Sequence, residues 1–151
     1  MIKHLWTSEA IRRQLFADAK SFRQIESRIQ ALPSENDRGD AFEVFAEAYL
    51  VTQKTVPAKE VWPSGTIPQR LLKRYSLPVP EKGVDGLVLT ASNEHHAYQV
   101  KFRTGRPNIT WRDLATFVGI SDKADGRFVF TNCEKLPKEL NDRGVYAIRG
   151  S

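Results

Sequence analysis

The 151-residue sequence contains one cysteine, Cys133, and one methionine. An internal disulfide is therefore impossible, and the thiol clusters that hold structural zinc are missing. No run approaches the roughly 18 uninterrupted apolar residues of a membrane-spanning helix, which excludes helical insertion, and no membrane partner is expected. The start, Met1-Ile-Lys-His-Leu-Trp-Thr-Ser-Glu, lacks the apolar core of about 7–15 residues and the small-residue cleavage site of a signal peptide. There is no internal repeat and no low-complexity tract. With 40% apolar and 27% charged residues, the composition fits neither a disordered nor a fibrous chain. The expectation is one globular, cytoplasmic domain, residues 1–151, large enough to bury a core without staples.

Acidic residues are the minority, 18 against 23 basic, giving a net charge of +5 and a pI near 9.5. A basic globular domain favours a polyanionic partner, most often nucleic acid. Where the charges sit must decide.

The first third reads as helical. Ile11, Leu15, Phe22, Ile25, Ile29 and Leu32 recur at helical spacings, and Ser21 with Gln24 has the spacing of a capping box, so two helices meet near Ser21. Residues 1–35 form an N-terminal helical extension. After a polar break over Pro33–Gly39, a second helix is expected from about Asp40 to Val51, with Phe42, Phe45, Ala46 and Tyr49 on one face. Glu43 and Glu47 share another face, as a solvated pair or as a functional acid. Lys59–Trp62 is strand-like. Val84–Thr90 and Ala97–Arg103 read as two strands joined by a turn at Ser92–His95. Thr110 and Asp113 cap a helix over Trp111–Ile120. Arg127–Thr131, Leu136–Leu140 and Val145–Ile148 read as strand, short helix and strand. The crossover through the Thr110 helix makes the Phe128 strand parallel to its neighbour. The fold class is α/β, a mixed sheet covered on both faces.

The strand around Gln99 is the informative one. Tyr98, Val100 and Phe102 alternate on one face, and Gln99, Lys101 and Arg103 occupy the other. Either this is an edge hairpin with one wet face, or polar groups are placed in a covered sheet for a purpose. Asp85 begins the preceding strand, and the hairpin returns Gln99 and Lys101 toward it. The Asp85 carboxylate, the Gln99 amide oxygen and the Val100 backbone carbonyl are hard oxygen donors suited to Mg2+ or Mn2+. Glu43 adds a fourth, directly or through water, if its helix packs on the sheet. Lys101 is placed to stabilise phosphate charge.

These residues resemble the PD-(D/E)XK nuclease superfamily: Glu43 in Arg38-Gly-Asp-Ala-Phe-Glu-Val-Phe, Asp85 in Gly83-Val-Asp-Gly, and Gln99-Val-Lys101. The match is closest to the Mrr-like branch, where Gln replaces an acidic residue. It resembles the nuclease domain found ahead of a helicase in type ISP restriction enzymes and related restriction-helicase proteins, over roughly Ser21 to Gly150. The resemblance implies a restriction-endonuclease-like core of αβββαβ type and a metal-dependent DNA endonuclease. It implies Asp85 as principal metal ligand, Gln99 as the second, Lys101 as catalytic lysine and Glu43 as the helix-borne acid. Val84 stands where the superfamily has Pro, and Gln99 removes one negative charge and weakens metal binding. The chain ends at Arg149-Gly-Ser151 directly after a strand, as expected of a domain excised from a longer protein with a helicase downstream. The competing reading is a non-catalytic DNA-binding or docking module on the same fold.

Arg103, Arg106 and Arg112 neighbour the site in sequence, and Arg70, Lys73 and Arg74 form a second basic cluster. Both sets fit phosphate contacts, and both fit solvated surface charge. Trp62 and Trp111 fit base stacking or, more commonly, burial. His95 and His96, adjacent on a strand, point to opposite faces and suit no shared metal. Cys133 reads as a small apolar filler.

Overall fold

Ser21 opens helix α1 (Phe22–Gln30) by accepting the Gln24 N–H at 3.3 Å. The Gln24 side chain reaches back to the Lys20 N–H at 2.7 Å, not to that of Ser21. The computed structural model describes residues 2–4, 14–53, 58–78, 83–105 and 107–149; Ile11 and Arg106 lie outside them. Residues 14–16 are helical, so the expected break before Ser21 is present. Within the expected helical extension, residues 2–4 are non-helical and pack against the next helix.

That helix, α2 (Glu35–Thr52), begins five residues earlier than the periodicity indicates. Ser34 caps it by accepting the Asp37 N–H at 3.0 Å. Glu35 and Asp37 lie in its first turn, where the helix dipole favours negative charge. The polar run that reads as a loop is therefore largely the solvated start of a helix.

Strands β1 (Ala58–Pro63), β2 (Gly86–Thr90), β3 (His95–Lys101), β4 (Gly126–Thr131) and β5 (Val145–Arg149) form one sheet in that order. The β1–β2 and β2–β3 pairs are antiparallel, and β3–β4 and β4–β5 are parallel. Helix α3 (Gln69–Arg74) lies between β1 and β2 in sequence, and helix α4 (Trp111–Ile120) makes the crossover from β3 to β4. Thr110 and Asp113 complete the capping box of α4 as expected. The segment at Leu136–Leu140 contains only a 3-10 turn, Lys138–Leu140, entered at Pro137 without a side-chain cap. The order is thus the expected α-βββ-α-β core with α3 inserted and β5 appended. Among the described residues no helix is long and apolar enough to cross a membrane.

Because β3 is the middle strand, both of its faces are covered, and the edge-hairpin alternative fails. Tyr98, Val100, Phe128 and Phe130 pack with Ile29, Phe42, Ala46 and Leu50 of α1 and α2. Leu87, Ala97 and Val129 pack on the other side with Leu71 and Leu72 of α3 and Leu114 and Phe117 of α4. Phe42 is fully buried, its ring 5.1 Å from Phe102 and 5.3 Å from Phe130. Phe42→Ala should remove about 3–5 kcal/mol of stability, measured by denaturant unfolding. A loss under about 1 kcal/mol would contradict this packing.

Candidate functional site

Two glycines flank Asp85. Gly83 has φ +77°, and a Cβ on Gly86 would collide with the buried Tyr98 ring. Gly86 therefore lets β2 lie flat on β3 and sets Asp85 beside it. The Asp85 N–H donates to the Tyr98 carbonyl at 2.9 Å, and its own carbonyl accepts from Ser64 N–H at 2.8 Å. Its carboxylate Oδ2 accepts the Val100 N–H at 2.7 Å. Val100 thus touches Asp85 through its N–H.

Gln99 is only 7% exposed, and its Oε1 is buried with no hydrogen-bond partner among the described residues. Such a group carries a desolvation penalty of about 1–3 kcal/mol unless a hydrogen-bond donor, a water or a cation satisfies it. Burial, and then the charge of Glu43, push the Asp85 carboxyl up to about 7, against the Val100 hydrogen bond and the charges of Lys101 and His4. Asp85, Glu43 and Lys101 therefore share one electrostatic neighbourhood. Lys101 ends β3 and, with Glu35, Arg38 and Arg103, lines an open groove of about 380 Å³. Asp85 and Gln99 do not line it.

The structure separates the two glutamates of α2. Glu47 is 1% exposed and accepts the backbone N–H groups of Lys3 at 2.6 Å and His4 at 3.1 Å. It anchors the N-terminal segment. Glu43 is half-buried, with Oε1 3.1 Å from His4 Nε2. Burial works to lower the His4 pKa, but the Glu43 hydrogen bond and the charges of Glu43, Asp40 and Glu47 outweigh it, so it is raised. Burial and the Glu43 charge hold the Asp40 carboxyl above its usual range. Reasoning on the sequence passed over His4 and Asp40. Asp40, Glu43 and Glu47 repeat at helical spacing, and that acidic stripe was the available signal for Asp40.

The basic residues divide. Arg103 is near Lys101: its N–H donates to Asn132 Oδ1 at 2.9 Å, and its guanidinium is 3.4 Å from Asp113 at the start of α4. Asp113 also feels Lys101 and has a lowered pKa, chiefly from its hydrogen bond to the Thr110 N–H. Arg112 is exposed on the same turn. Arg70, Lys73 and Arg74 are exposed on α3, but Arg70 and Arg74 act on His95, at the opposite end of β3 from Lys101. Six residues of strand make that roughly 20 Å. The two clusters do not form one patch around the site.

Trp62 and Trp111 are half-buried, Trp62 stacked on His95 and Trp111 under the Arg143 guanidinium at 5.0 Å. His95 bonds the Tyr75 hydroxyl at 2.6 Å and His96 that of Tyr146 at 2.8 Å, on opposite faces of the sheet. Cys133 is fully buried in the core.

No protein-family model matches the chain, and no curated protein matches it at significant similarity. A solved structure does, that of the ATP-dependent Type ISP restriction-modification enzyme LlaBIII bound to DNA. The two superpose with a TM-score of 0.62 at 18% identity, over 87% of this chain and 8% of that one. The likeness shows a shared restriction-endonuclease-like α/β fold, and this chain spans a small part of its neighbour's length.

Proposed function

We propose that the chain is a divalent-metal-dependent DNA endonuclease domain of the PD-(D/E)XK superfamily, Mrr-like branch, hydrolysing phosphodiester bonds. The observation that carries this reading is a pair of oxygens on neighbouring strands: the half-buried Asp85 carboxylate, pushed up to about 7, and the buried Gln99 amide oxygen, which has no donor among the described residues. Both are satisfied by a hard cation, so the residues fit Mg2+ or Mn2+. Asp85 and Gln99 would hold the ion, with the Val100 carbonyl and Glu43, directly or through water, as further donors. A bound ion supplies Lewis-acid activation and charge neutralisation at phosphorus. Lys101, at the groove, stabilises the charge that builds on phosphate oxygens. Arg103 and Arg112, at the same edge, bind the DNA backbone.

The LlaBIII structure is of an ATP-dependent enzyme bound to DNA. By that likeness we assign this chain to the cleavage module of a larger restriction or helicase-nuclease protein, with a motor domain downstream in the same cytoplasmic polypeptide. Cleavage of plasmid DNA with Mg2+ or Mn2+, lost in Asp85→Ala, tests the activity. A non-catalytic docking module is the reading favoured by the amide at Gln99, which leaves the site one carboxylate short. It predicts DNA binding without cleavage.

Replacing Arg103 and Arg106 together should weaken DNA binding while single-turnover cleavage at saturating protein is largely kept. The slope of log affinity against log salt should become shallower by about one unit per lost phosphate contact. An unchanged slope would remove these arginines from the interface.

A further inference from the structure

We propose that His4, Asp40 and Glu43 form a second cation site, with a nitrogen donor, that selects Mn2+ or another first-row transition ion over Mg2+. One ligand atom from each of the three lies within 4.8 Å of the others. An ion about 2.1 Å from each of three donors sets them roughly 3 to 4 Å apart, so small side-chain movements close the site. Glu43 Oε1 and His4 Nε2 are already 3.1 Å apart. An imidazole with two carboxylates is a mixed nitrogen and oxygen set, which favours Mn2+, Co2+ or Zn2+ over the all-oxygen preference of Mg2+.

The site is built rather than accidental. Glu47, itself buried, holds the backbone N–H groups of Lys3 and His4. The Lys3 ammonium donates to the Val61 carbonyl at 2.9 Å and pairs with Glu60, tying the same segment to β1. These bonds fix the His4 imidazole, 10% exposed, over Glu43. Negative charge is crowded here: Asp40 feels Glu43 and Asp37, and Asp85 feels Glu43. A cation relieves that crowding. Glu43 then faces two ions, this one and the one proposed at Asp85 and Gln99, so His4, 39 residues from Glu43 in sequence, joins the site's chemistry.

This assignment rests on its own donors and does not require the chain to cut DNA. Pulsed EPR of Mn2+ bound to the full chain, without DNA, tests it. The expected result is a nitrogen hyperfine coupling from imidazole, lost in His4→Gln, with Mn2+ affinity falling roughly tenfold or more. His4→Gln keeps the backbone bonds to Glu47, and an unchanged circular dichroism spectrum and melting curve will show it folded. The coupling should persist in the His95→Gln, His96→Gln double variant and in Asp85→Asn. Absent Mn2+ binding, bound Mn2+ without nitrogen coupling, or a coupling that survives His4→Gln would each overturn the proposal. A nitrogen coupling assigned to His4 in a chain that never cuts DNA would sustain this site and sink the nuclease reading alone.

Discussion

Asp85→Asn is expected to raise the melting temperature of the metal-free protein at pH 8 while eliminating DNA cleavage. The folded carboxyl titrates at about 7, raised by burial and by Glu43, whereas an unfolded aspartate titrates near 4. Between those values the unfolded chain gives up a proton that the folded chain keeps. Stability therefore falls as pH rises through that window, and the penalty is complete above about 7. The gap amounts to roughly 4 kcal/mol. Asparagine retains an oxygen for the Val100 N–H and carries no charge, so it escapes this penalty. For a chain of this size the melting temperature should rise by about 8–16 °C at pH 8 in EDTA, and by much less at pH 5. Mg2+ should stabilise the wild type at pH 8 and leave Asp85→Asn unmoved. A lower melting temperature for Asp85→Asn at pH 8 would mean that the carboxylate is satisfied without a cation.

Lys101→Ala should reduce single-turnover cleavage by at least about 10²-fold, the effect of removing one preorganised donor from a developing oxyanion. DNA affinity should change only modestly, because Lys101 is one of several cations at the groove. Lys101→Arg should not restore the rate, since a planar fork cannot occupy the place of a compact ammonium. The pair of measurements is cleavage at saturating protein and affinity at two salt concentrations. If Lys101→Ala cuts at the wild-type rate, the lysine is a surface charge and the non-catalytic reading takes over.

What could be read from the sequence follows from how local each signal is. Helix α4 was legible because its capping box, Thr110 to Asp113, is complete within one turn. The return of β3 toward Asp85 was legible because an antiparallel hairpin with alternating faces fixes its own register, here Gly86 opposite Tyr98. The start of α2 was not, since a capped, solvated first turn and a polar loop have the same composition. His4 was invisible for a different reason. Its contact with Glu43 spans 39 residues and leaves no periodic trace. The distance between the α3 arginines and Lys101 was equally hidden, because it depends on which end of β3 each helix covers.

The central claim is that Asp85, Gln99, Lys101 and Glu43 compose a metal-dependent phosphodiesterase. Its most direct measurement is single-turnover cleavage of plasmid DNA by the wild type and by Asp85→Asn, in Mn2+ or Mg2+ and in EDTA. The account predicts nicked or linear product for the wild type with metal, none in EDTA, and none for Asp85→Asn under any condition. Cleavage by Asp85→Asn at the wild-type rate, or a folded wild type that binds DNA and never cuts it with either metal, would contradict it.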